Sequence, residues 1–177
     1  MLDTNPIIRD YVERLSLLQP QLTAKSDVCY YACISHGLTE ELLELHFANT
    51  RDKKVREAGD VFAYATLLLM SSALEDANDN TSANTIYDDV AYLLTYAIEF
   101  SISNSPLFSA LECASALKRY FRFELDTNDE CIASYAADAV AYVLPNVDIR
   151  EILETNLSKL EDRAKRGLLD KGRGDDR

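Results

Sequence analysis

Apolar residues recur every three or four positions along almost the whole chain, and no segment sustains the alternation that a half-buried strand requires. That period constrains the fold more than any other feature, because a chain patterned this way buries its apolar surface only by packing amphipathic helices. The expected class is all-α. Five Gly and four Pro in 177 residues are too few for a sandwich of tight turns. Hydrophobic residues make up 47% of the chain, enough to bury a core, and the length suits one domain or two small repeats sharing one core.

Start and stop signals divide the pattern into helices. Asn5 and Pro6 predict the start of a first helix running to about Leu18, ended by Gln19-Pro20. Ser26 or Asp27 caps a second, running through Cys33 to Phe47 with a bend near Gly37. Residues 49–52 read as a turn, and Lys53–Glu75 as a long helix. The polar run 76–84 reads as a loop, followed by helices over Ile86–Phe100, Leu107–Phe123 and Asp129–Leu144. Pro145-Asn146 breaks the chain, and Asp148 caps a last helix from Ile149 to about Lys165. The expected organisation is a single all-α domain over 1–166 and a charged, Gly-containing tail over 167–177. Gly59-Asp60-Val61-Phe62-Ala63-Tyr64 resembles Ala137-Asp138-Ala139-Val140-Ala141-Tyr142, and Leu38–Leu45 has a counterpart in Leu111–Leu117. These pairs make 27–75 and 107–166 candidate repeats; chance likeness of Ala-rich helices accounts for them as well.

The acids carry the chemistry. Glu40, Glu41 and Glu44 fall on one helix, and Glu57 and Asp60 on the next. At about 100° per residue, Glu57 and Asp60 lie within the apolar stripe of Val61, Tyr64 and Leu68 rather than opposite it, and Glu41 sits at the margin of Leu38, Leu42 and Leu45. Carboxylates on a core-facing stripe must be protonated, paired with cations or bound to metal. An antiparallel hairpin across 49–52 brings the two sets together, and converging carboxylates suit Mg²⁺ or Mn²⁺. On spacing alone, an acidic edge on two surface helices stays open as the alternative.

Net charge is −12. From Asn156 to the end the balance is +2, and the rest of the chain carries −14. Such acidity excludes a broad nucleic-acid surface, and no apolar run approaches the roughly 20 residues of a membrane span. Without an export signal at the N-terminus, Cys29, Cys33, Cys113 and Cys131 read as reduced thiols of a cytoplasmic protein. Cys29, Cys33 and His36 share a helical face but lack a fourth ligand for zinc, and no P-loop motif is present. Asn156, Lys159, Arg163 and Arg166 form one stripe on the last helix. It reads as a phosphate-binding set or as ordinary dipole-complementing residues at a helix C-terminus.

Glu-Glu-x-x-Glu followed by Glu-x-x-Asp, at Glu40, Glu41, Glu44, Glu57 and Asp60, resembles the signature of the MazG-like all-α nucleoside triphosphate pyrophosphohydrolases. The ending, from Asn156-Leu157-Ser158-Lys159 through Arg163 and Arg166-Gly167 to Gly172-Arg173-Gly174-Asp175-Asp176-Arg177, is similar to phage and bacterial members. The likeness covers Leu38 to about Leu74 and Asp138 to the end, while 76–106 departs from the compact form. It implies a helical bundle with a degenerate second repeat that cleaves (d)NTPs to (d)NMP and pyrophosphate with Mg²⁺, in nucleotide-pool housecleaning. It implies Glu41, Glu44, Glu57 and Asp60 as metal ligands, and Glu40 or Glu41 as the group that orients or deprotonates water. Lys54, Asn156, Lys159, Arg163, Arg166, Arg173 and Arg177 are the candidate substrate-binding residues. A homodimer or higher homo-oligomer is expected. Hydrolysis of an alarmone or related nucleotide, or a non-catalytic nucleotide-binding helical module, are the competing functions.

Overall fold

A computed structural model describes residues 3–18, 28–75, 77, 81–123 and 129–168. The described residues form seven helices and no strand: α1 (Pro6–Leu18), α2 (Val28–Phe47), α3 (Arg51–Glu75), α4 (Ala83–Glu99), α5 (Pro106–Phe123), α6 (Asp129–Val143) and α7 (Ile149–Lys165). The class is all-α, and among the described residues no helix is long and apolar enough to cross a membrane.

Two helices begin earlier than the sequence suggests. The Thr50 Oγ accepts the Lys53 backbone N–H at 3.2 Å, so the segment read as a turn is the cap of α3, which starts at Arg51. The Ser82 Oγ accepts the Thr85 N–H at 3.1 Å, which starts α4 at Ala83 inside the stretch read as a loop. In both places a hydroxyl satisfies one of the N–H groups that a first turn leaves open. Asp148 caps α7 as expected, accepting from Arg150 N at 2.9 Å.

Helix α3 is the axis of the fold. It packs against α2, α4, α6 and α7, and from Ala58 to Ser71 its side chains are buried, apart from the half-buried Tyr64. Two hairpins lie side by side: α2 pairs with α3, α5 with α6, α2 packs on α5 and α3 on α6. The Asp-x-x-x-Tyr segments therefore fall on α3 and α6, and their upstream counterparts on α2 and α5. Helix α1 packs on α4 and α7. Its buried Ile8, Tyr11, Val12 and Leu15 form the stripe that closes the bundle.

Glycine matters at two close approaches. A Cβ at Gly59 would lie 2.8 Å from the Asn156 Cβ, so α3 and α7 meet there at a distance that only glycine permits. A Cβ at Gly37 would lie 2.3 Å from the Tyr64 ring. Gly37 thus makes room for an aromatic ring of α3 within a continuous helix α2.

Candidate functional site

The short connection from Phe47 to Arg51 turns the chain back on itself, and α2 and α3 then run together along their length. Leu38, Leu42 and Leu45 of α2 are fully buried, as are Val61 and Leu68 of α3. Burial of those stripes fixes the helix rotations and carries Glu41 and Glu57 inward. One carboxylate oxygen each from Glu41, Glu44 and Glu57 lies within 4.8 Å of the others. Glu57 is only 4% exposed, Glu41 is half-buried and Glu44 is exposed, so the cluster opens to water on one side. Arg56 Nη2 stands 3.9 Å from Glu57 Oε1.

Asp60, one turn beyond Glu57, is also buried, but its carboxylate is already engaged. Asn156 Nδ2 of α7 donates to Asp60 Oδ1 at 2.8 Å, and the Lys159 ammonium pairs with Asp60 Oδ2. Asn156 is in turn held by the buried Tyr11 of α1, whose hydroxyl donates to Asn156 Oδ1 at 3.0 Å. Three helices thus contribute to one polar chain running Tyr11–Asn156–Asp60–Lys159.

The electrostatics follow from this crowding. Burial pushes the Glu41 carboxyl up to about 8, helped by the charges of Asp60 and Glu44 and opposed by Lys159. Glu57 is raised for the same reasons, burial first. Burial and then Asp60 hold the Tyr11 hydroxyl well above its ordinary range, so it acts as a neutral donor. Burial and the mutual repulsion of the acids thus both favour the protonated carboxyl at Glu41 and Glu57. A hard divalent cation fits this donor set, which is all carboxylate oxygen.

The other expected residues fall in several places. Glu40 is exposed and faces the imidazole of His36, Nδ1 to Oε2 at 3.6 Å, rather than the cluster. Asn156 is 1% exposed and bonded on both sides, a holding group rather than a surface for phosphate. Lys159 is partly exposed at the rim while bonded to Asp60. Arg163, one turn on, is half-buried, and its charge is felt by the Tyr64 hydroxyl. Arg166 pairs with Asp162 at 3.1 Å at the end of α7. Lys54 lines an open cavity of about 310 Å³ with Arg51 and residues 143–147, a lining that includes none of the acids. Arg173 and Arg177 lie outside the described residues. Tyr11 was missed by sequence reasoning, since nothing in a tyrosine on an apolar stripe signals a partner 145 residues away.

Two of the cysteines, Cys33 and Cys131, are exposed free thiols, while burial pushes the Cys113 thiol up to about 12. Among the described residues the acidic trio is the one group of metal-ligating side chains brought together. No family model, curated protein or solved structure matches the chain.

Proposed function

We propose that the chain is a divalent-cation-dependent nucleoside triphosphate pyrophosphohydrolase, splitting a (d)NTP into (d)NMP and pyrophosphate. One observation carries the reading. Carboxylate oxygens of Glu41, Glu44 and Glu57, three of the five acids in the MazG-like spacing, converge within 4.8 Å beside a buried Asp60. Glu41, Glu44 and Glu57 would hold the cation, with Asp60 adjoining. Mg²⁺ there would polarise phosphoryl oxygens and lower the pKa of a water molecule.

The chain's own groups have separable tasks. Burial pushes the Glu41 carboxyl up to about 8 in the metal-free chain, so binding of the cation would release its proton. Glu40 faces outward toward His36, so of the two candidates only Glu41 stands among the groups that would hold the cation, where it would orient a bound water. Lys159 stands at the rim with positive charge already directed at the acids, where phosphate oxygens of a bound triphosphate would need it. Tyr11 and Asn156 hold Asp60 from behind.

The test is a nucleotide panel with purified protein and Mg²⁺, products resolved by phosphorus NMR. Monophosphate plus pyrophosphate is expected, abolished by Glu57→Gln with the helical CD spectrum kept. Orthophosphate release, or cleavage confined to an alarmone-type nucleotide, would replace the proposed reaction. Binding without turnover would leave a nucleotide-binding module.

A further inference from the structure

Asp60 holds its two partners in unlike ways. Its Oδ1 accepts from Asn156 Nδ2, and that amide is pinned. Asn156 is buried, accepts from Tyr11 on its other side, and stands against Gly59 where α3 and α7 approach closely. Asp60 Oδ2 takes the Lys159 ammonium, which ends a four-carbon stem that is 35% exposed. The first partner leaves only if the helices part, whereas the second reaches water by rotating its own side chain. Asp138, the matching acid of α6, shows the contrast. Both its oxygens are held by neutral donors of the α4–α5 connection, the Ile102 N–H at 2.7 Å and Asn104 Nδ2 at 3.0 Å.

The exchangeable partner is a positive charge that several acids share. Besides engaging Asp60, the Lys159 ammonium opposes the rise of the Glu41 and Glu57 carboxyls, so it faces acids of both α2 and α3. It does not satisfy them. Glu57 is 4% exposed and aims an oxygen at those of Glu41 and Glu44. Among the described residues its side chain accepts no hydrogen bond, and the Arg56 guanidinium at 3.9 Å is too far to donate one. A buried carboxylate without a donor calls for a cation.

We propose that Lys159 is the resident counter-cation of this site, displaced from Asp60 when a divalent cation binds and thereby freed to pair with phosphate oxygens of the nucleotide. The inference rests on the cation reading of Glu41, Glu44 and Glu57, and adds its regulation. Two positive charges compete for one set of carboxylates. Repulsion between an ammonium and a dication a few ångströms apart, even screened as in water, is worth about tenfold in affinity. Once the acids are neutralised, Asp60 attracts the ammonium less, and a polyphosphate at the rim offers it more oxygens than one carboxylate does. Lys159 is thus withheld from phosphate until the cation is in place. Asn156 and Tyr11 keep Asp60 where it is throughout the exchange.

Titration calorimetry with Mg²⁺ on the whole chain tests the exchange, above pH 8 where the Glu41 carboxyl gives up its proton. Lys159→Met and Lys159→Gln should each bind Mg²⁺ about tenfold more tightly than the wild type, and Lys159→Arg, which keeps the charge, should match it. With Mg²⁺ saturating, the two neutral variants should bind a non-hydrolysable α,β-methylene nucleoside triphosphate about tenfold more weakly. A mere brace between α3 and α7 predicts no such opposition, because its loss loosens the site for both ligands. NMR of the ¹⁵N-lysine-labelled wild type makes the test independent of how the variants fold. The Lys159 ammonium protons, protected by Asp60 in the metal-free chain, should exchange faster with water once Mg²⁺ is added. Neutral variants whose Mg²⁺ affinity stays at or below that of the wild type, or an ammonium that stays protected with Mg²⁺ bound, overturn the proposal and leave the cation site standing. A wild type that takes up no Mg²⁺, or a Glu57→Gln chain that takes it up undiminished, overturns the cation reading and this proposal with it.

Discussion

Replacing Glu41 by glutamine should stabilise the metal-free protein at pH 8 and change little near pH 4.5. In the unfolded chain this carboxyl ionises near its ordinary value of 4.5. In the folded chain it ionises at about 8, because burial and then the charges of Asp60 and Glu44 disfavour the carboxylate. Between those values the unfolded chain gives up a proton that the folded chain keeps. Stability therefore falls as the pH rises, and the full cost is reached above pH 8. At about 1.4 kcal/mol per pH unit the ceiling is ~5 kcal/mol. Glu41 is half-buried and Glu44 beside it is exposed, so water screens part of that, and an effect of ~2 kcal/mol is expected. Glu57 moves in the same direction and reinforces the slope. Mg²⁺ should restore wild-type stability at pH 8 by mass action, and should restore less in Glu41→Gln, which has lost a ligand and the penalty together. Urea unfolding followed by helical CD from pH 5 to 8, with and without Mg²⁺, measures all of this. A wild-type midpoint that holds or rises over that range, with Glu41→Gln tracking it, would refute the reasoning.

Lys159→Ala should lower the urea midpoint as well as activity, by about 3 kcal/mol of stability, because it leaves Asp60 mostly buried beside three other acids without its ammonium partner; an unchanged midpoint would show that the pair does not hold α7 to α3. Tyr11→Phe removes the donor to Asn156 Oδ1 and should cost about 1 kcal/mol in the same assay, with the helical CD spectrum unchanged.

Helix periodicity was legible in α1 and α7 because the buried residues of each follow the 3.6-residue repeat, and both were read with the bounds the structure gives. The starts of α3 and α4 were misread because Thr50 and Ser82 sit among Asn, Asp and other polar residues that serve loops and caps alike. Placement of Glu57 and Asp60 on a core-facing stripe was also legible, since it depends only on their distance from Val61 and Tyr64 along one helix. What closes the site was not. Asn156 and Lys159 reach Asp60 across 96 and 99 residues, and the stripe they share on α7 reads equally as a free phosphate clamp or a dipole complement. Only the packing of α7 on α3, at the approach that Gly59 permits, shows that Asn156 and Lys159 of that stripe engage Asp60.

The two Asp-x-x-x-Tyr segments show why the local motif underdetermines the chemistry. Asp60 and Asp138 are both buried on the second helix of a hairpin, each one turn before a tyrosine. Asp138 spends both oxygens on a backbone N–H and an asparagine amide of the α4–α5 connection. These neutral donors pin a corner where Ser103 adopts φ 61°, a left-handed conformation that a serine enters at some cost. Asp60 meets a lysine and an asparagine at the edge of three more carboxylates. A neutral clamp and a charged cluster therefore arise from one sequence pattern, decided by what the facing helix supplies. At Asp60 that helix supplies a cation to an acid-rich corner, and at Asp138 the connecting loop supplies only N–H groups, so the case for metal and phosphate chemistry rests on the first alone.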